Sequence, residues 1–192
     1  MSIVQVPPLP AAPLRERRWL PVVAVAGVLV GVVAGGYVLA DALAEPSGST
    51  TSVSASVSVT PLPGWELAER FDDPPGARFT RGNASLDVAS IPFTGTDEQL
   101  LSSYIEEILG PDAEQLRVAQ TPEPVALAGG LTGIRIAYVG MFGDVQAPIE
   151  GEVTAVVSSS GAGVVFDGWA PSGQLQYAID DIHTMVRTVE IA

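Results

Sequence analysis

His183 is the sole histidine of this 192-residue chain, so any mechanism that passes a proton through imidazole near neutral pH depends on that one residue. Asp180 lies three positions earlier. On a helix this spacing puts both side chains on one face, where they could supply two metal ligands or an oriented acid–base pair. A zinc centre needs three or four ligands, and there is neither a second His nor a Cys to complete one. A solvated helix face accounts for the pair, and no metal or other cofactor is expected. Glu150 and Glu152 flank Gly151 and point the same way along a predicted strand, so they could hold a cation, face a basic partner or serve an envelope hydrolase. A glycosidase needs two carboxylates across a cleft, a pairing that sequence spacing alone does not establish. The other acidic pairs have local explanations. Asp97 and Glu98 complement a helix dipole, Glu106 and Glu107 face solvent, and Asp72-Asp73-Pro74-Pro75-Gly76 is a turn.

Nucleophilic chemistry has no motif either. Ser158-Ser159-Ser160 sits in a hairpin turn, and no G-x-S-x-G elbow occurs. Gly129-Gly130 and Gly161-Ala162-Gly163 open no helix, so they read as turns rather than nucleotide fingerprints. No catalytic residue is therefore expected. Trp65 and Trp169 each stand at an element boundary beside a proline. Together with Tyr138, on the inward face of a predicted strand, they are the candidates for a partner or ligand groove; packing over the edge of the core is the alternative.

The elements that would position these residues are read from periodicity. Residues 77–92 form a predicted hairpin turning at Gly82-Asn83, with Leu86 and Val88 on one face. Thr96-Asp97-Glu98-Gln99 is a capping box, and Leu100, Leu101, Tyr104, Ile105, Ile108 and Leu109 make the apolar stripe of a helix that Gly110-Pro111 ends. Four strands come next, over 115–119, 131–139, 151–157 and 164–169. A second amphipathic helix spans 173–187, burying Leu175, Ile179, Ile182 and Val186, and residues 188–192 can close as a final strand. Hairpin-joined strands with one helix after the first hairpin and another near the end predict an α+β fold with a mainly antiparallel sheet.

Composition restricts the partners. The formal charge is −13, and all of that excess lies from residue 61 onward. Clustered cations are needed to bind phosphate backbones, so nucleic acid is not an expected partner. The nine basic residues are all Arg, which removes Schiff-base and Walker-type lysine chemistry. With no Cys, neither disulfides nor a lipidated cysteine hold the chain.

Residues 19–40, from Trp19 to Ala40, carry no charge, and Arg15, Arg17 and Arg18 precede them. As a helix this run reaches about 33 Å, enough to cross a bilayer core of about 30 Å, and the positive flank places the N-terminus inside. Cleavage and secretion after Ala42-Leu43-Ala44 is the rival reading, opposed by a run longer than a signal-peptide core. Gly27, Gly31 and Gly35 fall on one helix face as overlapping G-x-x-x-G patterns that suit self-association or packing on a partner span. The expected organisation is a proline-rich cytoplasmic tail over 1–18, a transmembrane helix over 19–41, a Ser/Thr-rich linker over 42–60 and an extracytoplasmic domain over 61–192. The Val/Ser alternation at 53–59 leaves an edge strand as the alternative to a free tether.

Pro63-Gly64-Trp65-Glu66, then a hairpin, a helix, several strands and Gly163-x-Val165-x-x-x-Trp169 before a closing helix, resembles the small extracytoplasmic domains of actinobacterial envelope proteins, including the LpqN-type lipoproteins. The resemblance implies an α/β/α sandwich similar to PsbP and a binding or assembly role, with no catalytic residue carried over. The lipobox cysteine of those lipoproteins is missing here, and the apolar span stands in its place. The expected function is a non-enzymatic, membrane-tethered interaction module docking on an envelope protein; an apolar-ligand or lipid carrier and a carboxylate hydrolase are the alternatives.

Overall fold

Apolar side chains on both faces of the central strands let one sheet present two buried faces, and a helix covers each. The computed structural model describes residues 49–142 and 147–192. The predicted span over 19–41, its Gly27, Gly31 and Gly35, and the Ala42-Leu43-Ala44 site all lie outside the described residues. No helix of the described residues is long and apolar enough to cross a membrane.

The strands are β1 (Thr51–Ser52), β2 (Val57–Val59), β3 (Glu66–Asp72), β4 (Pro75–Arg81), β5 (Ala84–Pro92), β6 (Ala113–Val118), β7 (Glu123–Ala126), β8 (Thr132–Phe142), β9 (Ile149–Val157), β10 (Ala162–Pro171) and β11 (Glu190–Ile191). Two helices matter for the site: α1 (Asp97–Tyr104), extended by a π turn over Ile105–Leu109, and α2 (Ile179–Thr188). The main sheet runs β3-β4-β5-β10-β9-β8-β6, with β7 also pairing β8. Every pairing among the described strands is antiparallel. The fold is α+β, with a helix on each face of the sheet.

Local chemistry explains most boundaries. Gly82 adopts a φ of 60° in the two-residue turn between Arg81 and Ala84, as the hairpin signal requires. The capping box at α1 is complete: the Gln99 N–H donates to Thr96 Oγ1 and the Thr96 N–H to Gln99 Oε1. Asp97 Oδ1 accepts the backbone N–H of Val157 at 2.7 Å, which pins the helix start to β9.

One core lies beneath α2 and holds Phe79, Leu86, Val88, Val164 and Phe166 with Ile182, Met185 and Val186. The other lies beneath α1 and holds Ile136, Tyr138, Val153, Ala155 and Val165 with Leu100, Leu101 and Leu109. Three features differ from expectation. Strands β3 and β7 form where no strand is predicted. The helix expected over 173–187 is broken, with a 3-10 turn over Leu175–Tyr177 before α2. Within residues 53–59 the edge-strand alternative describes the chain: β2 pairs with β1 and β11, burying Val53, Val57 and Val59. Each valine so buried contributes about 1.5–3 kcal/mol, enough to order a Ser-rich stretch.

Candidate functional site

The α1-side face of β10 carries Val165, Asp167 and Trp169, while Val164, Phe166 and Ala170 point to α2. Asp167 is 4% exposed, a carboxyl inside an otherwise apolar strand. It accepts hydrogen bonds from the Tyr104 hydroxyl of α1 and the Tyr138 hydroxyl of β8, each at 2.9 Å. Tyr138 reaches it across Gly151, its register partner in β9; a Cβ there would fall 2.5 Å from the Tyr138 ring. Asp87 is the register partner of Asp167 in β5. Arg78 grips Asp87 through two contacts of 2.6 and 2.8 Å, and Trp169 Nε1 donates to it at 3.3 Å. The guanidinium lies over the rings of Phe71 and Trp169, 5.5 and 5.8 Å from their centroids.

The electrostatics are governed by burial. Loss of solvent, and then the neighbouring Asp87 carboxylate, push the Asp167 carboxyl up to about 7, against the opposing pull of the two tyrosine hydroxyls and Arg78. Burial, and after it the charge of Asp167, raises both tyrosines far above the ordinary phenol range. The hydrogen bond to Asp87 raises the Arg78 guanidinium further.

Beside this cluster lies a cleft of about 540 Å³. It exists because α1 covers β8–β10 and leaves the α1-side face of β3–β5 open. Phe71, Pro74, Ile91, Leu100, Ile108 and Val165 supply its apolar walls. Its charged lining is Arg78 and Asp87, which are paired, and Asp73 and Glu107, which have no ion-pair partner among the described residues. Asp167 and Tyr138 lie behind this lining, so the buried carboxyl stiffens the wall rather than reaching a ligand. Ile108, expected on the buried stripe of the helix, is 50% exposed. The π turn adds one residue, which rotates the succeeding positions by about 100°, so Leu109 is buried and Ile108 faces the cleft.

The structure does not bring Trp65, Trp169 and Tyr138 into one groove. Trp65 is 1% exposed and belongs to the core under α2, on the other side of the sheet. Its Nε1 donates to Asp181 Oδ2 at 3.1 Å, beneath Arg81, which also pairs with Asp181 and the Tyr177 carbonyl. Trp169 and Tyr138 share the α1 side and buttress the cleft from behind. His183 turns away from Asp180 and meets Glu152 of β9 and Arg135 of β8, each at 2.6 Å. Glu150 and Glu152 do share a face, but Glu150 accepts the Leu175 N–H at 3.0 Å while Glu152 is held by Arg135 and His183. Among the described residues no group of three or more His, Asp or Glu is placed to hold a metal. Sequence reasoning misses Asp167 itself; its signal is a lone carboxylate within the apolar run 163–170.

No protein-family model matches this sequence, and no curated protein matches it. Several solved structures do match in fold. The solution structure of cyanobacterial PsbP (CyanoP) from Synechocystis sp. PCC 6803 is 14% identical, covering 77% of this chain and 100% of that one at a TM-score of 0.51. LpqN of Mycobacterium tuberculosis, involved in cell envelope biogenesis, is 13% identical over 77% of this chain and 86% of its own, at 0.51. The Saccharomyces cerevisiae Ran-binding protein Mog1p is 11% identical over 76% and 96%, at 0.52. The chain has a PsbP-like, LpqN-like fold, and at these identities the likeness is one of fold alone.

Proposed function

We propose that this chain is a non-enzymatic, membrane-tethered extracytoplasmic interaction module whose recognition element is the cleft between α1 and β3–β5. The occupant is a segment of an envelope protein that seats an apolar side chain in the cleft and sets an adjacent Lys or Arg against Asp73 and Glu107. The cleft carries this reading, because it joins an open apolar wall to two carboxylates without cationic partners among the described residues, in a chain of net charge −13. The uncharged run over 19–40 supports the tether, and the involvement of LpqN in cell envelope biogenesis supports the compartment. A second reading, an apolar-ligand or lipid carrier, is favoured by volume, since about 540 Å³ falls within the range of small-molecule sites.

A photo-crosslinking residue at position 108 of the full-length chain, activated in the envelope, separates the readings. The expected adduct is a peptide with an apolar residue within one or two positions of Lys or Arg. A lipid adduct would favour the carrier. No adduct, or the same adducts as from a crosslinker at Met141, would refute both.

A further inference from the structure

On the other side of the sheet from that cleft, a cavity of about 340 Å³ opens between β7, β8 and α2. Its charged lining is Arg135 and Arg187, with the His183 ring beside them, in a chain of net charge −13. Thr154 of β9 also lines it. This residue is 4% exposed, and its hydroxyl has no hydrogen-bond partner among the described residues. No fully buried side-chain oxygen is left unpaired among those residues, so the hydroxyl opens onto the cavity.

The hydrogen-bond inventory around Arg135 leaves a donor over. Arg135 Nη2 donates to Glu123 at 3.1 Å, and Nε lies 3.4 Å from Glu152. Nη1 lies 2.6 Å from His183 Nε2, which is also 2.6 Å from Glu152 Oε2. One ring nitrogen carries either a proton or a lone pair, so it cannot accept from Arg135 and donate to Glu152 together. Arg135 Nη1 carries two N–H groups and has one hydrogen-bond neighbour among the described residues, His183 Nε2, so at least one N–H is left over whichever way the ring is protonated. Arg187 donates only to Thr184 Oγ1, at 3.3 Å, and pairs with no carboxylate among the described residues.

We infer that this cavity binds an oxyanion: the carboxylate or phosphate end of a small molecule whose apolar part rests on Val125, Ala126 and Val186. Arg135 Nη1, the Thr154 hydroxyl and the Arg187 guanidinium are its donors. Glu123 and Glu152 stand behind Arg135 and offset its charge, so selection rests on donor geometry with little net field. Dissociation constants near ~1 mM fit such a site.

The test is an NMR titration of the isotope-labelled full-length chain in non-ionic detergent, using butyrate and inorganic phosphate at constant ionic strength. Saturable shifts are expected at Thr154, His183 and Arg187. Thr154→Val and Arg187→Gln should each weaken binding roughly fivefold, the equivalent of one hydrogen bond, with the rest of the spectrum unchanged. Saturation by butyrate alone marks an organic carboxylate, and by phosphate alone a phosphate; either supports the oxyanion site. No saturation by either probe up to about ten times a millimolar constant, or affinities that both variants leave unchanged, overturns it.

Discussion

Replacing Asp167 by Asn should reverse its effect on stability between acid and neutral pH. Burial lifts the carboxyl from its ordinary 3.8 to about 7 in the folded chain, a change worth about 4 kcal/mol. The folded pKa is the raised one, so the folded state holds the proton longer. Stability from this group is fully present below about pH 4, falls as the unfolded chain ionises, and is lost as pH passes 7. Asn does not titrate, yet it still offers one acceptor and one donor to Tyr104 and Tyr138. If the amide fits about 1 kcal/mol worse than the neutral acid at pH 4, the same cycle makes the variant about 3 kcal/mol more stable at pH 8. Urea unfolding of both full-length proteins in detergent, from pH 4 to 8, measures this. The difference between the two curves is diagnostic, because the acids outside the Asp87–Asp167 cluster titrate alike in both. A difference that stays constant within about 1 kcal/mol across that range would refute the burial argument.

Further perturbations test the supports. Gly151→Ala should push the Tyr138 ring off Asp167 and cost about 1–3 kcal/mol, read by unfolding and by loss of the protected tyrosine hydroxyl signal. Asp181→Ala removes the acceptor of the buried Trp65 N–H, and thermal unfolding should report a loss of about 1–3 kcal/mol together with altered tryptophan fluorescence. Thr96→Ala opens the capping box and should cost about 1 kcal/mol, with hydrogen exchange rising first in α1. Ile108→Glu should leave stability within about 0.5 kcal/mol, since the residue is half exposed, while abolishing the crosslinks made from a photo-reactive residue placed instead at position 103, which lines the same cleft.

Local signals carried well into the structure. The Gly82-Asn83 turn, the Thr96–Gln99 capping box and the inward alternation of Ile136 and Tyr138 are each set by neighbours in the chain, so their spacing is readable. The cleft is not, because it depends on how far the sheet extends beyond α1 and on the π turn that swings Ile108 outward. Neither has a periodic signature. His183 illustrates the same limit. Asp180 is its neighbour along the helix, but Glu152 and Arg135 approach from two strands that only the sheet places opposite it. Trp65 and Trp169 look equivalent beside their prolines, yet Trp65 enters the core under α2 from the turn before β3, while Trp169 lies within β10 on its α1-side face.

The pairing of Ser58 with Glu190 and of Val57 with Ile191 joins positions more than 130 residues apart. A chain delivered from its N-terminus therefore presents Val57 and Val59 long before β11 arrives to cover them. Contacts of such span close late in folding. Any product halted before residue 190 keeps β2 as a bare apolar edge, a template for strand addition from another molecule. Strand β11 thus closes this edge, and a chain halted before it leaves β2 open to intermolecular pairing, a route to aggregation.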